Sequence, residues 1–313
     1  MGRAGGGPTG NPRGAVTGGE GAGPGQLVLV ATPIGNLGDL SPRARDVLAA
    51  ADVVCCEDTR RTRALLSAMG IAAGGAHGDR LLSLHGHNEE SRVERVLSCL
   101  AGGGTVAVVS DAGTPGISDP GALLVSRAIA AGEAVSVVPG PTSVVAALVV
   151  SGLPVDRFCM EGFLPRKGGE RRDRVAALMA DQRTSVVLEA PGRVAATLAE
   201  MAAVDVGRRV AVVRELTKVH EEVWRGTMAE AAAAFAERPV RGEVVLVIAG
   251  APAAGPVSDE AIDDAVRQHL GRGVGDGPRQ IADIVAGELG VPRRKVYEAV
   301  LRLRGERGRR SDP

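Results

Sequence analysis

Gln26-Leu27-Val28-Leu29-Val30-Ala31-Thr32-Pro33-Ile34-Gly35-Asn36-Leu37-Gly38-Asp39-Leu40-Ser41-Pro42-Arg43 reads as strand, loop and helix start in one stretch. Gln26–Ala31 is a short apolar run bounded by turn residues, which is a strand signal. Pro42 stands at the first helical position after Ser41, and the helix runs to about Ala50. The same theme continues downstream. Asp52–Cys56 reads as strand, and a helix carrying Arg60, Arg61 and Arg63 follows. Leu81–Leu84, Thr105–Ser110 and Ala134–Val138 read as strands; Glu89–Leu100, Pro120–Ala131 and Ser143–Val150 read as helices. Such alternation predicts an α/β fold. From residue 155 it repeats, with strands near 158–162, 184–189, 209–214 and 243–249 and helices at 170–181, 192–203 and 228–237. After the Pro/Ala/Gly-rich loop 251–257, residues 259–270 and 278–303 read as helices with no strand between them. The expected organisation is an N-terminal α/β domain over 26–140, a C-terminal α/β domain over 141–252 and a small helical module over 253–313. Residues 1–25 hold 11 of the chain's 44 glycines and only three charges, and read as a disordered extension.

Composition narrows the class of function. The 313 residues carry 37 basic and 37 acidic side chains, so the molecule as a whole is not a general nucleic-acid binder. Any such role must fall to local basic patches. Phe158, Phe163, Phe235, Trp224 and Tyr297 are the only aromatics, which argues against an RRM-type stacking sheet. Of the four cysteines, Cys55 and Cys56 are adjacent and Cys99 and Cys159 isolated, excluding a zinc-ribbon spacing or a disulfide framework. Buried thiols in a reducing cytoplasm are expected. No apolar run approaches the ~20 residues of a membrane span, so no membrane association is expected.

Three loops at the carboxyl ends of predicted strands are rich in Gly, Pro and small hydroxylated residues: Thr32–Asp39, Ser110–Gly121 and Pro139–Ser143. In open α/β sheets ligands sit at such ends. None of the loops has the Gly-Lys-Ser/Thr ending of a P-loop or the spaced glycines of a dinucleotide fold. An adenosine ligand without polyphosphate fits them better than ATP or NAD.

The order of Leu29–Ala44, Cys56-Glu57-Asp58-Thr59-Arg60, His87-Asn88-Glu89, Ser110–Gly121, Val138–Ser143, Gly162–Lys167, Arg214–Glu222 and Arg225-Gly226-Thr227 resembles the ribosomal RNA small subunit methyltransferase I family, within the tetrapyrrole methylase superfamily. The resemblance covers about residues 26–250 and continues weakly into the tail. It implies two α/β domains of tetrapyrrole-methylase type with S-adenosylmethionine (SAM) in the interdomain cleft. It implies methylation of a cytidine ribose 2′-OH in the decoding region of 16S rRNA, presented in the 30S subunit, by a cytoplasmic homodimer. SAM contacts implied by the superfamily fall on Ile34, Ala112, Gly113, Thr114, Ile117, Thr142, Ser143, Glu189 and Leu216. The family pattern has a histidine before Arg193 that is Gly192 here, so a role for that histidine is lost.

A ribose hydroxyl is a poor nucleophile, and a general base would help. Glu57, Glu89 and His87 are the leading candidates; Asp111 and Asp119 are as well suited to shaping turns, and Asn88 to capping a helix. His220-Glu221-Glu222 lacks a second histidine one helical turn on, so no metal is expected. Arg60, Arg61 and Arg63, then Arg166, Lys167, Arg171, Arg172 and Arg174, form basic clusters suited to phosphates. Long aliphatic helices such as Ser143–Val150 and Met228–Phe235 offer dimer surface or core. The alternatives to an RNA methyltransferase are a superfamily enzyme with a non-RNA acceptor and a SAM-sensing ribosome-assembly factor. The tail favours RNA. Ile281, Ile284, Val285 and Leu289 follow helical spacing, Gly290 stops that helix and Pro292 starts another whose apolar face is Val296, Val300 and Leu301. Residues 293–310, including Arg293, Arg294 and Lys295, carry eight basic and two acidic side chains. The pattern is that of a helix-turn-helix with a basic second helix.

Overall fold

The computed structural model describes residues 25–75, 78–85, 88–117, 121–252, 257–271 and 277–310. The glycine-rich extension expected before residue 25 lies outside them. The chain divides into two compact units, Met1–Gly250 and Ala251–Pro313.

The first unit is built on two five-stranded sheets. The first sheet uses β1 (Gln26–Val30), β2 (Val53–Cys56), β5 (Leu81–Ser83), β6 (Thr105–Val109) and β7 (Ala134–Val138), while β3 (Gly74–Gly75) and β4 (Gly78–Asp79) make a separate two-residue hairpin. The order is β5-β2-β6-β1-β7 and every pairing is parallel. Parallel neighbours need crossovers, supplied by α1 (Pro42–Ala50), α2 (Thr59–Ala68), α3 (Glu89–Ala101) and α4 (Ala122–Ala130). Both faces of the sheet are therefore covered. Val28, Val30 and Val54 pack against Leu48 and Leu66 on one side. Leu27, Cys55 and Val106 pack against Val96, Leu100 and Leu124 on the other. Burial on both faces explains why these strands read as continuous apolar runs rather than as alternations.

α5 (Ser143–Ser151) leads to the second sheet, which comprises β8 (Phe158–Phe163), β9 (Thr184–Glu189), β10 (Arg209–Arg214), β11 (Glu222–Thr227) and β12 (Val244–Ile248). Its helices are α6 (Gly169–Ala180), α7 (Val194–Ala202) and α8 (Met228–Phe235). Here the expected repetition fails. The order is β11-β10-β12-β9-β8, and only β8 and β9 run parallel. β11 was not foreseen in the sequence. It is an edge strand whose Glu222 and Arg225 break the apolar run a buried strand would show. One face of this sheet carries Val187, Val210, Val212, Met228 and Phe235. Trp224 packs edge-on to Phe235 there, ring centroids 5.8 Å apart. α8 thus buries Met228, Ala231 and Phe235 in the core. The other face carries Val186, Val213 and Val245 with Val144, Ala147 and Leu148 of α5 and with Ile34 from the β1 loop. Only Val145 and Val149 of α5 remain exposed.

The second unit has its own core. α9 (Asp259–Gly271), α10 (Pro278–Leu289) and α11 (Arg293–Arg310) bury Ile262, Val266, Ile281, Ala282, Val285, Val296, Ala299, Val300 and Leu303, with Tyr297 packed beside them. Gly290 ends α10 in the left-handed conformation at φ 62°, where glycine carries no Cβ penalty. The expected apolar face is off by part of a turn: Ile284 and Leu301 are exposed, and Ala282 and Leu303 take the inward positions.

Candidate functional site

Strand order places β6, β1 and β7 side by side, so the three Gly/Pro-rich loops leave neighbouring strands at one end of the sheet. They are bonded to one another. Thr32 N donates to Gly113 O at 2.9 Å and Gly113 N to Thr32 O at 3.1 Å. The buried Thr32 hydroxyl donates to Ser110 O at 3.1 Å, Ser110 Oγ to Gly113 O at 3.1 Å, and Thr114 Oγ1 to Pro141 O at 3.3 Å. These bonds tie Thr32, Ser110, Gly113, Thr114 and Pro141 to one another. Gly113 has φ +82°, and a Cβ there would meet Ile34 Cγ2 at 3.3 Å and Pro141 O at 3.6 Å. Gly35 likewise lets the first loop lie against the second sheet's 216–218 segment, where a Cβ would come within 2.4 Å of Lys218 Cγ.

Between these loops and the second sheet lies a cavity of about 470 Å³. Ile34, Ala112, Gly113, Thr114, Ile117, Thr142, Ser143 and Glu189 all line it. Met160, Phe163 and Leu188 of β8 and β9 complete its far wall. Leu216 is not on the wall; it is buried behind it with Ile34, Val144 and Val213. Among the described lining residues Arg61 is the sole cation, and it is paired with Asp111 at 3.3 Å. The cavity therefore lacks the cationic cradle a polyphosphate requires. A wider hollow of about 960 Å³ beside Arg45, Asp52 and Arg80 is a poorer candidate. Its most buried cation, Arg80, is committed to the carbonyls of Ala49, Ala51 and Ala72.

Glu189 sits at the floor with its side chain fully buried. Its Oε2 accepts from Thr197 Oγ1 at 2.7 Å, and its Oε1 accepts from Ala190 N at 2.8 Å and pairs with Arg193 Nε at 3.1 Å. Arg171 Nη2 donates to the same Thr197 hydroxyl at 2.8 Å, while its Nε reaches Glu200 at 2.8 Å and its Nη1 the Pro165 carbonyl at 3.0 Å. Arg193 Nη2 donates to Leu164 O at 2.7 Å. Buried charges persist only when paired and bonded in this way. Arg171 is thus a structural pin rather than part of a basic surface, and Arg174 is paired with Glu161 at 2.6 Å. Arg166 and Lys167 are exposed.

Glu57, at the end of β2, lines the cavity. Glu89 does not: its Oε1 accepts from Gly121 N and Leu124 N, both at 3.1 Å, and so caps the start of α4. His87 and Asp119 lie outside the described residues. Asn88 does not cap α3 with its side chain; its Oδ1 accepts from His85 N at 2.8 Å and its Nδ2 donates to Ser83 O. Asp58 caps α2 instead, and Arg60 beside it holds its carboxyl at about 2. Among the other basic candidates, Arg63 pairs with Asp79, Arg293 with Asp283, Arg294 with Glu298 and Lys295 with Asp259. Such exposed pairs are weak, so phosphates can compete for these cations.

The Arg214–Thr227 segment does work that sequence reasoning missed. Glu215 and Thr217 have φ of 51° and 64°, which are costly for non-glycine residues. Glu215 accepts from Lys218 Nζ at 2.8 Å and Glu243 N at 3.0 Å, and the Lys218 bond holds its carboxyl below the usual range. Glu221 accepts from Thr217 N at 2.7 Å. Glu222 binds Arg238 and Arg214, the former lowering its pKa most. These carboxylates brace a tight loop. Arg225 reaches the carbonyls of Val150 and Ser151 at the end of α5, and Thr227 forms a reciprocal capping box with Glu230 at the start of α8.

Residues 26–264 match the family model described as Tetrapyrrole (Corrin/Porphyrin) Methylases. The chain is 46% identical over 280 residues to the ribosomal RNA small subunit methyltransferase I of Xylella fastidiosa, covering 88% of this chain and 98% of that protein. It is 45% identical over 290 residues to the protein of the same name from Mycobacterium tuberculosis, covering 92% and 99%. Solved structures with the same fold include the methyltransferase CobJ, with a TM-score of 0.54 at 19% identity, covering 72% of this chain and 95% of that one. Uroporphyrin-III-C-methyltransferase from Thermus thermophilus has a TM-score of 0.51 at 21% identity, covering 72% and 94%.

Proposed function

Because the chain belongs to the ribosomal RNA small subunit methyltransferase I family of the tetrapyrrole methylases, we propose that it methylates the ribose 2′-OH of a cytidine in the decoding region of 16S rRNA, with SAM as the donor. The observation that carries this reading is the cavity between the three loops and the second sheet. Three mutually bonded glycine-rich loops converge on it, a backbone surface opened by Gly113 lines it, and its one lining cation is already paired. Such a wall suits an adenosine and an amino-acid moiety held largely by main chain. Ile34, Ala112, Gly113, Thr114, Ile117, Thr142 and Ser143 would contact SAM directly. Glu189 would hold the floor through Ala190 and Thr197, and Leu216 would back Ile34.

When bound, SAM supplies a methyl group made electrophilic by its sulfonium. The protein must align the incoming hydroxyl in line with that methyl and exclude water. Glu57, one of the carboxylates lining the cavity with Asp111, Glu189 and Glu243, would take the hydroxyl proton. Glu89 would act indirectly, through the Gly121 and Leu124 amides it holds at the start of α4. Arg60, Arg61, Arg63, Arg166 and Lys167, with Arg293, Arg294 and Lys295 of the helical unit, would contact phosphates. The assembled 30S subunit is the proposed substrate, the cytoplasm the place and a homodimer the working form, with Val145 and Val149 available to an interface.

The test is incubation of purified protein with labelled SAM and 30S subunits from cells lacking the enzyme, followed by mapping of the label. A 2′-O-methylcytidine in the decoding region is expected. Label on a base, or transfer only to a tetrapyrrole acceptor, would replace this reading. Light scattering at micromolar protein checks the dimer.

A further inference from the structure

The proposed acceptor ribose must bring its 2′-OH to a methyl donor held in a cavity of about 470 Å³. A nucleotide that leaves its stack to do so loses the stacking partners of its base. Phe163 stands where that loss can be made good. It is the one aromatic among the described lining residues, and it is 60% exposed. Trp224 and Phe235, by contrast, pack against each other in the core. The strand is bulged between Met160 and Gly162, and Gly162 has φ +66°; bulges of this kind re-aim the side chains beside them.

The mount is rigid. Leu164 is buried, its carbonyl accepts from Arg193, and the Pro165 carbonyl accepts from both Arg171 and Arg193. Both arginines belong to the buried Glu189–Thr197 network. Arg166 and Lys167 follow at once, exposed and without an ion pair among the described residues. The neighbouring Glu161 is matched by Arg174. An exposed aromatic on a fixed support, next to two uncommitted cations, has the elements of a single-strand nucleic-acid contact: a face for a base and charges for its phosphates.

We infer that Phe163 is a positioning residue that stacks on the extruded base of the acceptor nucleotide at the mouth of the cavity, with Arg166 and Lys167 holding the flanking phosphates. This inference rests on the proposed RNA-ribose activity. The experiment compares single-turnover methylation of 30S subunits by wild type, Phe163→Ala, Phe163→Leu and Phe163→Trp, with SAM affinity by calorimetry and mass by light scattering. Alanine and leucine are expected to lower kcat/KM about ten- to a hundredfold. Tryptophan should restore it; SAM affinity, since Phe163 borders the donor cavity, should fall far less than kcat/KM, and mass should be unchanged. Full activity in the leucine variant would show that apolar volume suffices and overturn stacking. A loss matched by weaker SAM binding would make Phe163 part of the donor site, and a loss matched by a change in mass would make it an interface residue; either overturns the inference. Inactive wild type would instead remove the proposed function itself.

Discussion

The two sheets of the first unit wall the same cavity by different means. The parallel sheet presents backbone: its three loops leave adjacent strand ends, their hydroxyls are engaged with one another, and Gly113 leaves its main chain open to a ligand. The mixed sheet presents a floor fixed by side-chain charge, with Glu189, Thr197, Arg171 and Arg193 committed to each other, to Glu200 and to main-chain groups. A backbone wall tolerates many side chains but few changes in φ. A charge-fixed floor tolerates backbone drift but not the loss of one partner. The two sides should therefore fail differently.

The largest effect on donor binding is expected on the backbone side. Gly113→Leu places a side chain at φ +82° in the donor cavity and should reduce SAM affinity at least a hundredfold, about 2.7 kcal/mol, while the melting transition changes far less. Calorimetric titration with a parallel thermal melt checks this, and unchanged affinity would remove Gly113 from the donor site. On the floor the order reverses. Glu189→Gln leaves Arg193 without its buried counter-charge and should cost about 3 kcal/mol of stability, with a smaller loss of SAM affinity. Denaturant unfolding measures it, and a variant as stable as wild type would mean the network is not under load. Smaller again, and outside the cavity, deletion of 251–313 should weaken 30S binding about tenfold at low salt and flatten its salt dependence without touching SAM affinity. Filter binding across a salt series is the readout.

The last effect appears only at high pH, in the parallel sheet's interior. Burial, more than any charge, raises the Cys55 thiol from about 9 to about 12. An acid whose folded pKa is raised contributes stability that is complete below its unfolded value and is lost as pH rises through the folded one. Stability should thus fall between about pH 9 and 12, less steeply in Cys55→Ala than in wild type. At pH 8 Cys55 should resist alkylation in the native protein, as mass spectrometry would show.

The contrast between the sheets also sets what the sequence reveals. β1 and β6 are buried on both faces, and with the edge strand β7 they end in Gly/Pro loops, so strands and ligand loops are both legible in a linear reading. β11 is a charged edge strand, and its pairing with β10 depends on a tight loop whose strained residues, Glu215 and Thr217, carry no glycine signature. Glu89 looks like a catalytic carboxylate beside a histidine, yet it caps amides 32 and 35 residues away; a cap at that separation leaves no local pattern. Arg171 belongs by sequence to a basic cluster, and only the arrival of Thr197, Glu200 and Pro165 around it makes its burial tolerable. Eight of the nine expected donor-site positions share a wall because their contacts are set by loop position, whereas Leu216 ends up behind the wall, where helix and sheet packing decides.

The packing of Trp224 against Phe235 has a further use. The chain has one tryptophan and one tyrosine, and they fall in different units: Trp224 in the core of the mixed sheet, Tyr297 beside the core of the three-helix unit. Each unit thus contains its own intrinsic fluorophore. Emission excited selectively at the indole follows the melting of the first unit in the unlabelled protein. The tyrosine signal is dominated by the second, so a difference between the two melting curves would measure directly whether the units unfold together or one at a time.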